Sequence, residues 1–175
     1  IQFHLFKFLE GLCLYKEMKH IINMPSFVIW DSVANTLSQR EREAEDINSV
    51  IGYKGRLLSL LIPKYVAKLS LFNICLICIN QLRDVIQIGP FAAAKDMKFM
   101  TTGKEMPGGN ALKFFASQRV EIRRGDKLLQ DKEQIGYLAK IKIAKNKISA
   151  PFKTAELPVK RGVGYDKTAD IIEAA

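Results

Sequence analysis

Two short apolar runs, FVIWD at 27–31 and ICLICI at 74–79, flank a stretch in which Leu57, Leu58, Leu61, Ile62, Val66 and Leu69 recur at helical spacing. Apolar runs of this length, the first set off by the breaker Pro25, read as strands buried in a sheet. A strand, a helix and a second strand of one sheet form a right-handed crossover, which makes the two strands parallel. The expected fold is therefore α/β, a mixed and mostly parallel sheet with flanking helices. Pro63 falls inside the intervening helix and is expected to kink or split it, because proline lacks the N–H that the helix ladder needs. Ligands bind just beyond the carboxyl ends of such strands. Asp31 and Ser32 stand at the first of these ends and Asn80 and Gln81 at the second.

The chain of 175 residues, 48% hydrophobic and 26% charged, is long and apolar enough for a domain with a real core, and its composition is not that of a disordered segment. Charge is unevenly distributed. Residues 82–161 carry 17 of the 27 basic side chains against 8 of the 18 acidic ones, and a local excess of this kind attracts polyanions. Three cysteines without a secretory signal point to a reducing cytoplasm. Cys75 and Cys78 form a C-x-x-C inside an expected buried strand, where positions three apart face opposite sides and cannot share a metal. His4 and His20 have no further ligand at metal spacing. Lys7, Glu10, Lys16 and Glu17 interrupt the apolar start of the chain, so an amphipathic helix is expected there and not the ~18 uninterrupted apolar residues of a membrane span.

Most chemistry gathers between Met106 and Phe152. In MPGGNALKFFASQRVEIRR, Gly108 and Gly109 open a short apolar helix expected at about 109–117. Unpaired backbone N–H groups at the positive end of a helix make a cradle for a phosphate. A strand at 118–124 carries Arg119, Arg123 and Arg124, and the polar run GDKLLQDKEQ reads as a hairpin connection. The next strand, 137–145, alternates Lys140, Ile141, Lys142, Ile143. By parity Lys140 and Lys142 share one face, and Lys145 and Lys147 fall on the other if the strand continues. A further strand is expected from Pro151 to about Lys160, and a helix start in DKTADIIEAA. The segment 82–107 lacks periodicity and reads as a long loop, with Phe91 and Phe99 among Lys95, Lys98 and Lys104, a mixture suited to stacking on single-stranded bases.

PGGNALKFF followed by KNKISAPF, with FVIWDS and INQ upstream, resembles the RecA-type DNA recombinases, which coat single-stranded DNA as an ATP-dependent filament. The resemblance covers roughly residues 27–172 and implies the C-terminal part of a RecA-like P-loop ATPase core, with residues 1–24 as an N-terminal helical segment whose origin the resemblance leaves open and residues 25–175 as the core. It implies that Asp31, with Ser32, holds the water shell of Mg²⁺ on ATP, and that Gln81 senses the γ-phosphate. Gly52, Arg56, Ser59, Gly108, Gly109 and Asn110 would grip the single-stranded DNA backbone. Arg124, Lys140 and Lys142 would hold incoming duplex DNA. Lys145 and Lys147 would reach the ATP of a neighbouring subunit, and Phe114 would lie at the filament interface. Without the resemblance, an Asp after a strand also caps helices, a lysine row is also a solvated face, and Phe114 also packs in a core. Two departures stand out. The chain contains no G-x-x-x-x-G-K-[ST] run, GKEMPGG having the wrong order, and the family's upstream strand with its catalytic Glu is not found. The rival expectation is therefore a non-catalytic DNA-binding or filament-modulating protein; a hexameric helicase shares the core fold but not these motifs.

Overall fold

A computed structural model describes residues 4–46, 50, 52–84 and 104–166. They form two compact units, 1–115 and 116–175. Phe91, Lys95, Lys98 and Phe99 of the expected DNA loop, and the helix start expected after Asp166, lie outside the described residues.

The first unit contains α1 (His4–Met18), β1 (Ser26–Asp31), α2 (Gln39–Glu43), α3 (Tyr53–Leu71), β2 (Ile74–Ile79), β3 (Arg83–Asp84), β4 (Lys104–Glu105) and α4 (Ala111–Phe115). The α/β reading holds, and β1 and β2 pair in parallel from Ser26 opposite Ile74 to Asp31 opposite Ile79. Phe6, Leu9 and Cys13 of α1 recur at helical spacing and pack with Leu58, Ile62 and Leu69 of α3 and with Trp30 and Ile74. Phe6 meets Trp30 edge-on with ring centroids 6.4 Å apart and Tyr65 at 4.9 Å. The boundary expected near residue 24 thus marks no break in packing, because α1 supplies part of the same core. Lys16, also buried, ends the α1 stripe, and its ammonium donates to the Met24 carbonyl and to Ser26 Oγ. Two carbonyl and hydroxyl acceptors replace water around a cation that would otherwise not be buried.

Three expectations change. The β1–β2 pair is covered on one face only: Trp30 is buried, whereas Phe27 and Ile29 are 72% and 64% exposed, and Cys75 is exposed with Cys78 half-buried. The thiols do face opposite sides, but Cys75 is not buried. Burial raises the Cys78 thiol pKa to about 11. Pro63 does not split α3, which runs unbroken over 19 residues with the proline on its exposed side. Parallel pairing is confined, among the described residues, to β1 and β2, and the remaining ladders are antiparallel.

The second unit is the antiparallel order β5 (Gln118–Gln130), β6 (Glu133–Asn146), β7 (Thr154–Lys160), β8 (Gly164–Tyr165). The hairpin expected at GDKLLQDKEQ is present, but its connection is short. Its strands continue to a two-residue turn at Asp131 and Lys132, both with positive φ (51° and 69°), the backbone twist that suits a tight hairpin. Pairing of Leu128 with Gly136 and of Leu129 with Gln134 continues the ladder through it. No helix among the described residues is long and apolar enough to cross a membrane.

Leu58 is fully buried at the centre of the first core, so Leu58→Ala should destabilise this unit by about 2–5 kcal/mol through lost burial and an unfilled cavity. Trp30, the only tryptophan and buried in that core, reports the change directly: the urea midpoint of its fluorescence transition should fall.

Candidate nucleic-acid interface

In the first unit, residues distant in sequence converge on an open groove of about 900 Å³. One wall is the start of α3, where Gly52 takes the N-cap position in the left-handed region (φ 70°) and no side chain caps the helix. The first-turn amides of this 19-residue helix therefore lack a side-chain cap, and Gly52, Lys54, Gly55 and Arg56 line the groove. Arg56 and Ser59 continue that wall. Ser59 donates its hydroxyl proton to the Gly55 carbonyl at 2.8 Å, which leaves its lone pairs, and not its proton, for a ligand.

The facing wall is the turn Pro107, Gly108, Gly109, Asn110. Gly109 has φ 72°, and a Cβ there would stand 3.2 Å from the Gly55 Cα. The turn thus lies backbone against backbone on α3. A Cβ on Gly108 (φ 97°) would sit 2.9 Å from Leu58 Cδ1, which ties the turn to the core. Asn110 accepts the Phe114 N–H at 3.0 Å and so starts α4. That helix spans only five residues, Ala111–Phe115, shorter than its expected 109–117, and its dipole is correspondingly small. The longer amide array of this groove belongs to α3. Phe114 is 70% exposed, so its ordinary core-packing alternative does not apply.

The parallel register sets Asp31 level with Ile79, and the Val33 N–H donates to the Ile79 carbonyl at 2.9 Å. Asp31 and Gln81 consequently emerge at the same end of the sheet, both exposed. Ser32 is buried and its hydroxyl has no partner among the described residues. Sequence reasoning missed Lys54, and it placed Asn80 at the strand end without a partner. Lys54 donates to the Val33 and Ala34 carbonyls at 3.4 and 3.1 Å; burial lowers its pKa, Glu41 opposes the shift and Arg83 adds to it. Asn80 donates to the Pro107 carbonyl at 2.9 Å and accepts the Gln81 N–H at 3.0 Å. Only its position, two residues after Gly52, could have flagged Lys54.

In the second unit the expected division of the lysines changes. Arg119 pairs with Lys145 and Val120 with Ile143, so Ala144 is an extra residue in β6. A bulge of this kind resets the alternation of the strand. Lys145 shares the face of Arg119, and Lys142 and Lys140 lie opposite Glu121 and Arg123 on that same face. Lys147, whose N–H donates to the Ser117 carbonyl at 2.9 Å, extends the row. The parity expectation that put Lys145 and Lys147 on the other face is therefore corrected. Arg124 pairs with Ala139 on the opposite face, its guanidinium 4.8 Å over the Tyr137 ring, and does not join Lys140 and Lys142. Lys140 is held by Asp126 at 2.9 Å and Glu156 at 3.6 Å, which raise its pKa. Desolvation, followed by the charges of Lys147 and Arg119, lowers the pKa of Lys145. This crowding of cations favours an anion on the same face.

A family model described as the RecA N-terminal domain matches residues 18–166, from the end of α1 through β8. Protein RecA of Macrococcus caseolyticus is 35% identical over 146 residues, covering 83% of this chain and 38% of that protein. Protein RecA of Staphylococcus aureus (strain Newman) is 34% identical over the same length, 83% of this chain and 39% of that protein. The chain spans about two-fifths of the length of these relatives. With the family model covering most of its residues, the chain belongs to the RecA family.

Proposed function

We propose that this chain carries the DNA-gripping and nucleotide-responsive portion of a recombinase, corresponding to the later strands of a RecA-like ATPase core. The intact assembly binds single-stranded DNA as a cytoplasmic helical filament, with ATP between subunits, and pairs it with duplex DNA for strand exchange in recombinational repair. The single observation that carries this reading is the common groove. Gly52, Arg56 and Ser59 come from one segment and Gly108, Gly109 and Asn110 from another some fifty residues later, yet all six line it. Backbone amides with Arg56 and Arg83, which also lines the groove, are suited to a phosphate chain whatever its base sequence.

Asp31 would hold Mg²⁺ through its water shell, with the Ser32 hydroxyl beside it as a further oxygen. Mg²⁺ retains several waters and needs only one or two carboxylates, so this donor set fits although no three His, Cys, Asp or Glu converge among the described residues. When bound, ATP supplies a γ-phosphate whose presence is the signal. Gln81 reads that signal at the sheet end, and Lys145 and Lys147 stabilise phosphate charge on the adjoining subunit. Lys140 and Lys142 hold duplex. Arg124, on the other face, contributes to duplex capture from a separate position, and Phe114 contributes to the filament contact. One observation favours a second reading, a DNA-binding filament modulator without its own nucleotide loop: these 175 residues contain no G-x-x-x-x-G-K-[ST] run. The two readings separate when the chain is supplied with a RecA nucleotide-binding half: oligothymidylate binding that rises with an ATP analogue favours the recombinase, and binding indifferent to it favours the modulator.

The chain should bind a labelled oligothymidylate with an affinity that falls linearly on a log–log scale as salt rises; salt-insensitive or absent binding overturns the reading. Gly109→Val forces a β-branched residue into φ 72° and against Gly55, and should weaken that binding roughly ten-fold, about 1.4 kcal/mol. Arg56→Ala should reduce the salt slope by about one.

Lys142→Ala should chiefly lower capture of duplex by the chain already loaded with oligothymidylate, measured by gel shift. Equal loss of single-strand and duplex binding in the Gly109 and Lys142 variants would remove the division into two sites.

A further inference from the structure

The groove has two walls, and each is joined to the nucleotide end of the β1–β2 sheet by a side chain that reaches a backbone carbonyl. Asn80, immediately past β2, uses both ends of its amide: Oδ1 accepts the Gln81 N–H at 3.0 Å and Nδ2 donates to Pro107 O at 2.9 Å, 27 residues away in sequence. Lys54, in the first turn of α3, sends its ammonium to Ala34 O at 3.1 Å and Val33 O at 3.4 Å, in the turn that follows Asp31 and Ser32. At the rim the walls meet glycine on glycine, Gly55 against Gly109, and beneath it the side chains of Leu58 and Val33 lie under Gly108.

We infer that Asn80 and Lys54 are positioning residues, two struts that fix the Pro107–Asn110 turn and the α3 start to the strand ends bearing Gln81 and Asp31, and so set the width of the groove. Lys54 also lines the groove, where a lysine would ordinarily be read as a phosphate ligand. Its ammonium is instead directed at two carbonyl oxygens, and it acts on the nucleic acid through the walls. The inference rests on the proposed function for what the groove holds, but not for how the walls are fixed.

Two substitutions isolate the struts. Asn80→Asp keeps the acceptor for the Gln81 N–H and replaces the donor to Pro107 O with a repelling carboxylate oxygen. Lys54→Met keeps the apolar stem and removes the ammonium. Hydrogen exchange of the whole chain should show faster exchange at 108–111 in Asn80→Asp and at 33–36 and 53–57 in Lys54→Met, with the Trp30 unfolding midpoint nearly unchanged. Oligothymidylate affinity should fall roughly three- to ten-fold in each, the scale of one lost hydrogen bond, with the salt slope unaltered. Unchanged exchange at these amides overturns the struts. A salt slope reduced by about one in Lys54→Met overturns the role given to Lys54, because it marks a direct phosphate contact. If the wild-type chain shows no salt-sensitive binding, the recombinase reading fails while the exchange measurement still decides whether the struts exist.

Discussion

The parallel pairing of β1 with β2 is the constraint on which the first unit depends. Because Asp31 lies level with Ile79, everything that follows either strand leaves the sheet at one end: Ser32 and Val33 from the first, Asn80 and Gln81 from the second. A shift of register by one residue would turn Trp30 out of the core and Ile29 into it, since alternate residues face opposite sides. The burial of Trp30 beside Phe6 therefore fixes the register, and the register places the polar ends. α3, which crosses between the strands, then has to begin near the end of β1 and finish near the start of β2. This brings Gly52 and Lys54 to the same end as Asp31.

That much was legible in the sequence, because it follows from periodicity. The apolar spacing of α3, the two strands and the glycine pair are local signals, and local signals survive folding. What was not legible depends on the count of neighbours across a ladder. Lys145 was assigned to the wrong face because parity assumes an unbroken strand, whereas Ala144 is one residue too many against β5. Nothing in KIKIAKNK marks Ala144 as extra; the bulge is defined by its partner strand. The polar run GDKLLQDKEQ did reveal a hairpin but not its length, since two residues with positive φ suffice for the reversal. The rest of the run pairs. The exposed outer sides of β1 and β2 show the same limit, as an apolar run states what could be buried and not what is present to bury it.

The two units present charge by different physics. The groove of the first is lined by Arg56 and Arg83 and by the glycines of the α3 start and of the 107–110 turn, whose backbone amides carry partial charges fixed by helix and turn geometry. In the second, Arg119, Arg123, Lys140, Lys142 and Lys145 lie on one face with Glu121 and Glu156 among them. Full charges on long side chains act over a Debye length and respond strongly to salt. Fixed amide dipoles act within hydrogen-bond range. A phosphate chain is attracted by the second kind of surface and positioned by the first.

A glycine-on-glycine contact also bears on how the groove could change. Side chains interlocked across a contact resist sliding, because moving them costs close packing on both sides. At Gly55 and Gly109 the backbones touch with no side chain between them, so the contact itself offers little resistance to a small displacement of the turn. Its width must then be held from outside, by Leu58 under Gly108 and by the polar bonds of Asn80 and Lys54. Leu58 belongs to the core. Asn80 adjoins Gln81, Lys54 holds the turn that follows Asp31, and Val33 of that turn lies under Gly108, so the sheet end is joined to the walls by these bonds and by packing. The same absence of side chains that lets a phosphate backbone approach closely leaves the groove dependent on the residues that join it to the sheet.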